Sequence, residues 1–211
     1  MSHAADLLLF AALVFGIVVL PGLDMAFVMG SSLTAGRRHG LAAVAGVVAG
    51  AACHVVMTTF GIGVLLKVMP AAFNALLLAG ALYIAWIGVS LLRADSAFGI
   101  QAQDGAASAW VTFRRGALTC LMNPKAYLFM LAVFPQFLHA EYGPLWSQSL
   151  VLWLIIAFTQ LAVYGAVALA AAQARGWLVR RPGAGLAVAR VVGTVLIGAA
   201  LFTGFEGWRS L

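Results

Sequence analysis

The chain has 211 residues, of which 64% are hydrophobic and only 9% charged, with a formal net charge of +6. Soluble domains carry about 25% charged residues, so a water-soluble globular domain is excluded and lipid is the expected solvent. The positive balance does not indicate nucleic acid, because its Lys and Arg residues sit between apolar runs and form no basic stripe with interleaved aromatics.

The first apolar stretch, 5–34, has no Lys or Arg before it, so the positive region of a signal peptide is missing and residues 5–20 read as a retained span. The whole stretch is too long for one straight crossing, which takes about 20 residues. The pair Pro21-Gly22 interrupts it, with Asp24 two residues on. Proline lacks an N–H and glycine tolerates unusual backbone, so together they unwind a helix. The next stretches are 40–66 and 70–92. Within the former, Gly46, Gly50, His54 and Thr58 recur every four residues and share one helix face. Small residues at this spacing let helices approach closely. Packing within the chain is the expected use, and a homodimer interface the rarer one. Residues 94–113, with Asp95, Gln101, Gln103 and Asp104, form the one clear polar linker.

The second half starts with a stretch at 116–138, interrupted by Asn123-Pro124 and followed at once by Lys125. Stretches 146–172 and 186–206 complete a set of six spans. Loops one, three and five carry nine Lys and Arg residues: Arg37, Arg38, Arg93, Arg114, Arg115, Arg175, Arg180, Arg181 and Arg190. The opposite side has Lys67 and Arg209. This bias predicts cytoplasmic loops one, three and five and two extracytoplasmic termini. Three spans per half then force the halves into opposite orientations. The expected fold is all-α and integral to the membrane: one transporter domain over 1–211, built as two inverted three-helix repeats (1–93 and 114–211) with broken helices at Pro21-Gly22 and Asn123-Pro124. Trp110, Trp146, Trp177 and Trp208 fall near the expected interfaces, as an aromatic belt does.

Asp24 and Lys125 each lie about ten residues from the cytoplasmic end of their span, which is about 15 Å deep at about 1.5 Å per residue. A charge at that depth costs about 2.5 to 3.5 kcal/mol on insertion scales, so it is kept for a partner, a cavity or a task. Paired interruptions in the two halves of an apolar chain point to a transporter site near the midplane. The helix segments beginning after Pro21-Gly22 and at Asn123-Pro124 have N-termini that suit a carboxylate. Lys125 adds a positive charge and Asp24 complements an ammonium, so the expected ligand is a zwitterion such as an α-amino acid. A plain Asp24–Lys125 salt bridge between the halves is the structural alternative. His54 has an unperturbed pKa of about 6.5, which suits a proton carrier; a packing histidine is an equal reading. Tyr83 and Gln160 are polar groups within spans and candidate cavity residues, and Tyr164 shares the helix face of Gln160.

These motifs, in this order, resemble the LysE/RhtB family of bacterial amino-acid exporters. The matching residues are Pro21-Gly22, Gly36-Arg37-Arg38-His39-Gly40, Gly46 to Gly50, His54, Gly61, Gly80 to Tyr83, Gly88, Asn123-Pro124-Lys125-Ala126, Phe129, and Pro135-Gln136-Phe137. Leu23 stands where the family usually has a second proline, which leaves the first break more flexible. The resemblance implies secondary export of small amino acids or derivatives across the bacterial inner membrane. No GxxxxGK[ST] motif supplies nucleotide energy, so an ion gradient, protons first, is the expected drive. No cofactor is expected. A metal or inorganic-ion exporter is the alternative, although its ligands would be few: Asp24 and His54, with Cys53 or Cys120 as further options. An intramembrane enzyme would need an HExxH motif or a nucleophile paired with a base, and neither is evident.

Overall fold

A computed structural model describes residues 3–61 and 108–180, with isolated positions between 82 and 93 and between 187 and 201. The third expected span of each half, and Tyr83 with it, lies outside the continuously described residues. Among the described residues the elements are helical: α1 (His3–Val19), α2 (Leu23–Ala35), α3 (Arg37–Thr59), α4 (Ala109–Leu121), α5 (Pro124–Ala132) and α6 (Leu145–Arg180), with two short 3₁₀ turns, Phe134–Phe137 and Ala140–Tyr142, between α5 and α6.

Both expected breaks are present. α1 and α2 meet at 55°, and the α4–α5 pair bends by 53°. α3 and α6 are each long and apolar enough to cross a membrane, and each bent pair makes one more candidate span. α6 has 36 residues. At about 1.5 Å per residue it is roughly 54 Å long and outreaches a hydrocarbon layer of about 30 Å.

Three boundaries differ from the sequence expectation, for one reason: helices end where backbone geometry ends them, not where hydropathy falls. α3 stops at Thr59 rather than 66, because Gly61 adopts φ +85 and its N–H bonds back to Thr58 O, a glycine C-terminal cap. α4 begins at Ala109, capped by the Ser108 hydroxyl, so Arg114 and Arg115 lie within a helix rather than before one. Arg175 and Arg180 likewise belong to α6.

Direct contacts show which helix ends share a side. The Tyr142 hydroxyl donates to Asp6 Oδ2 at 3.1 Å, and the His3 ring packs on Tyr142. The start of α1 therefore lies beside the α5–α6 connection. Thr59 and Ser149 hydroxyls are 2.8 Å apart, which joins the end of α3 to the start of α6 on that same side. At the opposite end His39 Nδ1 is 2.9 Å from Thr112 Oγ1, and Arg175 lies beside Gly36. The arginine-bearing helix ends thus gather on one side, and the two bent pairs cross in opposite directions.

The packing is inverted relative to a soluble protein. Leu8, Phe15, Phe158 and Leu161 face outward, whereas Asp24, Ser32, His54, Asn123 and Gln160 are buried. Phe10, Val14, Val28, Val47, Phe134 and Leu152 fill the interior between them. α3 and α4 approach each other to near backbone contact. A Cβ on Gly46 would collide with Phe113 O, one on Gly50 would lie 2.7 Å from Cys120 Cβ, and one on Gly116 would lie 2.7 Å from Ala43 O. The small-residue face of α3 is therefore used within the chain. Gly46→Ala is expected to lower stability by about 1–3 kcal/mol through overpacking, whereas Gly165→Ala, which meets nothing within 4 Å, should leave it unchanged. Thermal unfolding in detergent, followed by tryptophan fluorescence, compares the two; equal melting would mean that the α3–α4 contact is not tight.

Candidate functional site

The first break follows from simple backbone accounting. In a continuous helix the N–H of residue 21 would bond to Ile17 O, but Pro21 has none. Leu20 O loses its helical partner as well, because the chain turns away. A hydrocarbon layer offers no water to replace these donors. Lys125 does so: its Nζ donates to Ile17 O and to Leu20 O, both at 2.9 Å. The ammonium also sits at the negative end of α1, where a cation is favoured. Gly22 is extended, at φ −170, so its smallness is used for space: a Cβ there would lie 3.2 Å from Lys125 Nζ.

The second break repeats the problem with the halves exchanged. Pro124 would have bonded to Cys120 O. That carbonyl instead receives the Asn123 N–H at 3.0 Å and His54 Nε2 at 3.0 Å. A carbonyl only accepts, so Nε2 carries the proton. The His54 ring is held edge-on by Tyr127, 4.5 Å away at 89°. Asn123 completes the turn as the cap of α5, with Oδ1 accepting the Lys125 backbone N–H at 3.1 Å. Each break is thus supplied by a side chain from the other half.

A cavity of about 50 Å³, measured as the space open to water centres, lies where the two breaks meet. That is room for a few ordered waters. α1 contributes Val14, Ile17 and Val18, and α3 contributes Ala51 and His54. Asp24, Cys120, Asn123, Lys125, Ile156, Gln160 and Tyr164 surround it with Ala126, Phe129 and Met130. Of the sequence candidates, Asp24, Lys125, Asn123, Gln160 and His54 therefore come together. Gly22 packs against Lys125 at the edge. Pro21 is exposed and does not line the cavity, and Pro124 is the first residue of α5.

Two expectations change in form. Lys125 and Asp24 line one cavity but do not form an ion pair within 4.0 Å, so the direct salt bridge is not the arrangement found. The α5 N-terminus is also not open to a carboxylate, because Lys125 N–H is taken by the Asn123 side chain and Ala126 N–H by Asn123 O. Asp24, second residue of α2, is 3% exposed, and its Oδ1 has no hydrogen-bond partner. Asn123 Nδ2 and Gln160 Oε1 likewise make no hydrogen bond of full geometry, although the Asn123 amide is near enough to the Asp24 carboxyl to be a weak donor to it. Sequence reasoning missed the Cys120 carbonyl, although its place four residues before a proline was a usable signal. It also left Tyr127 aside, which no local pattern marks. Among the described residues no group of three or more His, Cys, Asp or Glu side chains is placed to hold a metal ion.

A model of the LysE type translocator family matches residues 14–207. The chain belongs to the LysE type translocator family. It is 30% identical over 194 residues to an uncharacterized membrane protein of Vibrio cholerae, covering 92% of each chain. It is 30% identical to a homoserine/homoserine lactone efflux protein of Salmonella typhimurium, over 75% of this chain and 76% of the relative. A leucine efflux protein of Salmonella choleraesuis is 32% identical over 58% of each chain. No solved structure matches. This translocator is thus a membrane protein of a transporter family, and inorganic-ion export is the less favoured of the two sequence readings.

Bracing by Lys125 predicts a suppressor. Lys125→Met should destabilise the purified protein by about 1–3 kcal/mol for each carbonyl left without a donor. Pro21→Ala restores an N–H for Ile17 O and should recover part of that loss in the Lys125→Met background. Thermal unfolding of the single and double variants reads this directly. A double variant less stable than Lys125→Met alone would show that the lysine does not stand in for the missing amide.

Proposed function

We propose that this translocator exports a small amino acid or amino-acid derivative from the cytoplasm by secondary-active transport, most simply in exchange for protons. The observation that carries the reading is Asp24, a buried carboxylate without a hydrogen-bond partner on one oxygen, at the cavity between two braced helix breaks. The names of the homoserine/homoserine lactone and leucine efflux relatives support the substrate class.

In this reading Asp24 holds either the substrate ammonium or a proton, and exchanging one for the other couples the two flows. Asn123 and Gln160 line the substrate's place, with Tyr83 a further candidate. Lys125 and His54 hold the breaks on either side, with His54 a second candidate for proton transfer. One charge moving through 100 mV is worth about 2.3 kcal/mol, enough for roughly fifty-fold accumulation. The full architecture proposed is six spans in two inverted repeats, with the arginine-rich side in the cytoplasm and both termini outside. The two halves rock about the breaks, which widens the narrow cavity to each side in turn.

Cells that express the chain, loaded with dipeptides to raise internal amino acids, test this. One or a few amino acids should appear faster outside, and Asp24→Asn should reduce that rate at least about tenfold at equal membrane levels, as loss of a charged partner implies. An unchanged extracellular profile for every amino acid would sink the export reading. Proton coupling has its own test in the same cells: an uncoupler should abolish accumulation outside, and export that persists undiminished would rule protons out as the driving ion.

A further inference from the structure

We infer that Asp24 and Gln160 together form a subsite for a primary ammonium group, and that the cavity selects its cargo by this end rather than by a carboxylate. The inference rests on the export reading above and refines it. It begins with the polar atoms that the fold leaves over. Three buried side-chain atoms at the cavity make no hydrogen bond of full geometry: Asp24 Oδ1, Gln160 Oε1 and Asn123 Nδ2. Their residues are 3%, 6% and 2% exposed. The Asn123 amide is close enough to the Asp24 carboxyl to give it one weak donor, which leaves the carboxylate short of partners for its charge. Buried polar groups are almost always satisfied, so atoms left over in a cavity call for an occupant of complementary chemistry.

The inventory is one carboxylate, the Gln160 and Asn123 amides, each with an acceptor oxygen and an NH₂ group, and the Tyr164 hydroxyl; only the carboxylate is charged and free of a backbone partner. Of the two unpartnered acceptors, one is a carboxylate oxygen on α2 and the other an amide oxygen on α6, which belong to opposite halves. A protonated primary amine brings three N–H donors and a positive charge, and complements both acceptors, which line the same cavity. A carboxylate brings only acceptors and would meet the like charge of the buried Asp24 carboxylate. The cation that might have offset this is Lys125, but two of its three N–H groups are held at 2.9 Å by Ile17 O and Leu20 O. Turning it toward a carboxylate would strand both carbonyls. What remains for the carboxyl end is the Asn123 amide and one lysine N–H. Those donors serve the carbonyl of an amide, ester or lactone as well as that of a free acid. The cargo is therefore a small primary amine whose carboxyl group is open to derivatisation and whose nitrogen is not.

The test uses the purified full chain in proteoliposomes at mildly acidic pH. Uptake of labelled leucine, and separately of labelled homoserine, is measured against unlabelled leucine, leucinamide and N-acetyl-leucine. Leucinamide should compete within about threefold of leucine, and N-acetyl-leucine should compete at least about tenfold more weakly, as loss of a charge-assisted hydrogen bond implies. Gln160→Leu should raise the half-saturating concentration about tenfold or more. Gln160→Glu keeps an acceptor oxygen and should keep the preference for leucinamide over N-acetyl-leucine, which controls for a Leu variant that fails to fold. Leucine transport that leucinamide does not inhibit, or that N-acetyl-leucine inhibits equally well, overturns the subsite and leaves export standing. Absence of transport for leucine, homoserine and a labelled mixture of the other amino acids overturns both.

Discussion

A proline inside a membrane helix creates a carbonyl with no donor, and hydrocarbon cannot supply one. Among the described residues that problem is seen at Ile17 O and at Cys120 O. Both are answered by a side chain from the other half: Lys125 for the first and His54 for the second. The rest of the described structure is arranged around these two bonds. Gly46, Gly50 and Gly116 bring α3 against α4 at near backbone contact, and His54 follows Gly50 by one turn, so the glycines set its reach to Cys120 O. Asn123 fixes the first turn of α5, and with it the position from which Lys125 extends across to α1.

The same arrangement divides labour among the ionisable groups. Lys125 and His54 are engaged by backbone carbonyls, while Asp24 keeps one carboxylate oxygen unpartnered at the cavity. A charge inside a membrane is costly, so a braced lysine and an open aspartate have different uses. The lysine compensates an interrupted helix and its dipole. The aspartate is available to something that comes and goes. The cavity lies between elements of both halves, so in the proposed transport cycle an occupant would touch both, and its gain or loss would bear on their relative position.

The two breaks differ in character. The first is an extended Gly22 beside an exposed Pro21, with no side-chain cap on α2. The second is a capped turn in which Asn123 satisfies two consecutive backbone groups. The first has fewer local bonds to hold it and depends more on Lys125.

Much was legible in the sequence because membrane chains advertise their constraints. Composition alone required lipid, the two prolines marked the breaks, and the charges of Asp24 and Lys125 were conspicuous against apolar surroundings. The face Gly46–Gly50–His54 followed from a four-residue period. These are local signals, and local signals survive without a fold. The partners were not legible. Lys125 lies 108 positions from Ile17 and His54 66 positions from Cys120, and nothing in either neighbourhood names the other. Sequence determined that a positive and a negative charge would lie near two interrupted helices. Only the tertiary structure decided that the positive one closes a helix end while the negative one stays open to the cavity, because a hydrogen bond is a matter of a few tenths of an ångström between chain segments that the sequence keeps far apart.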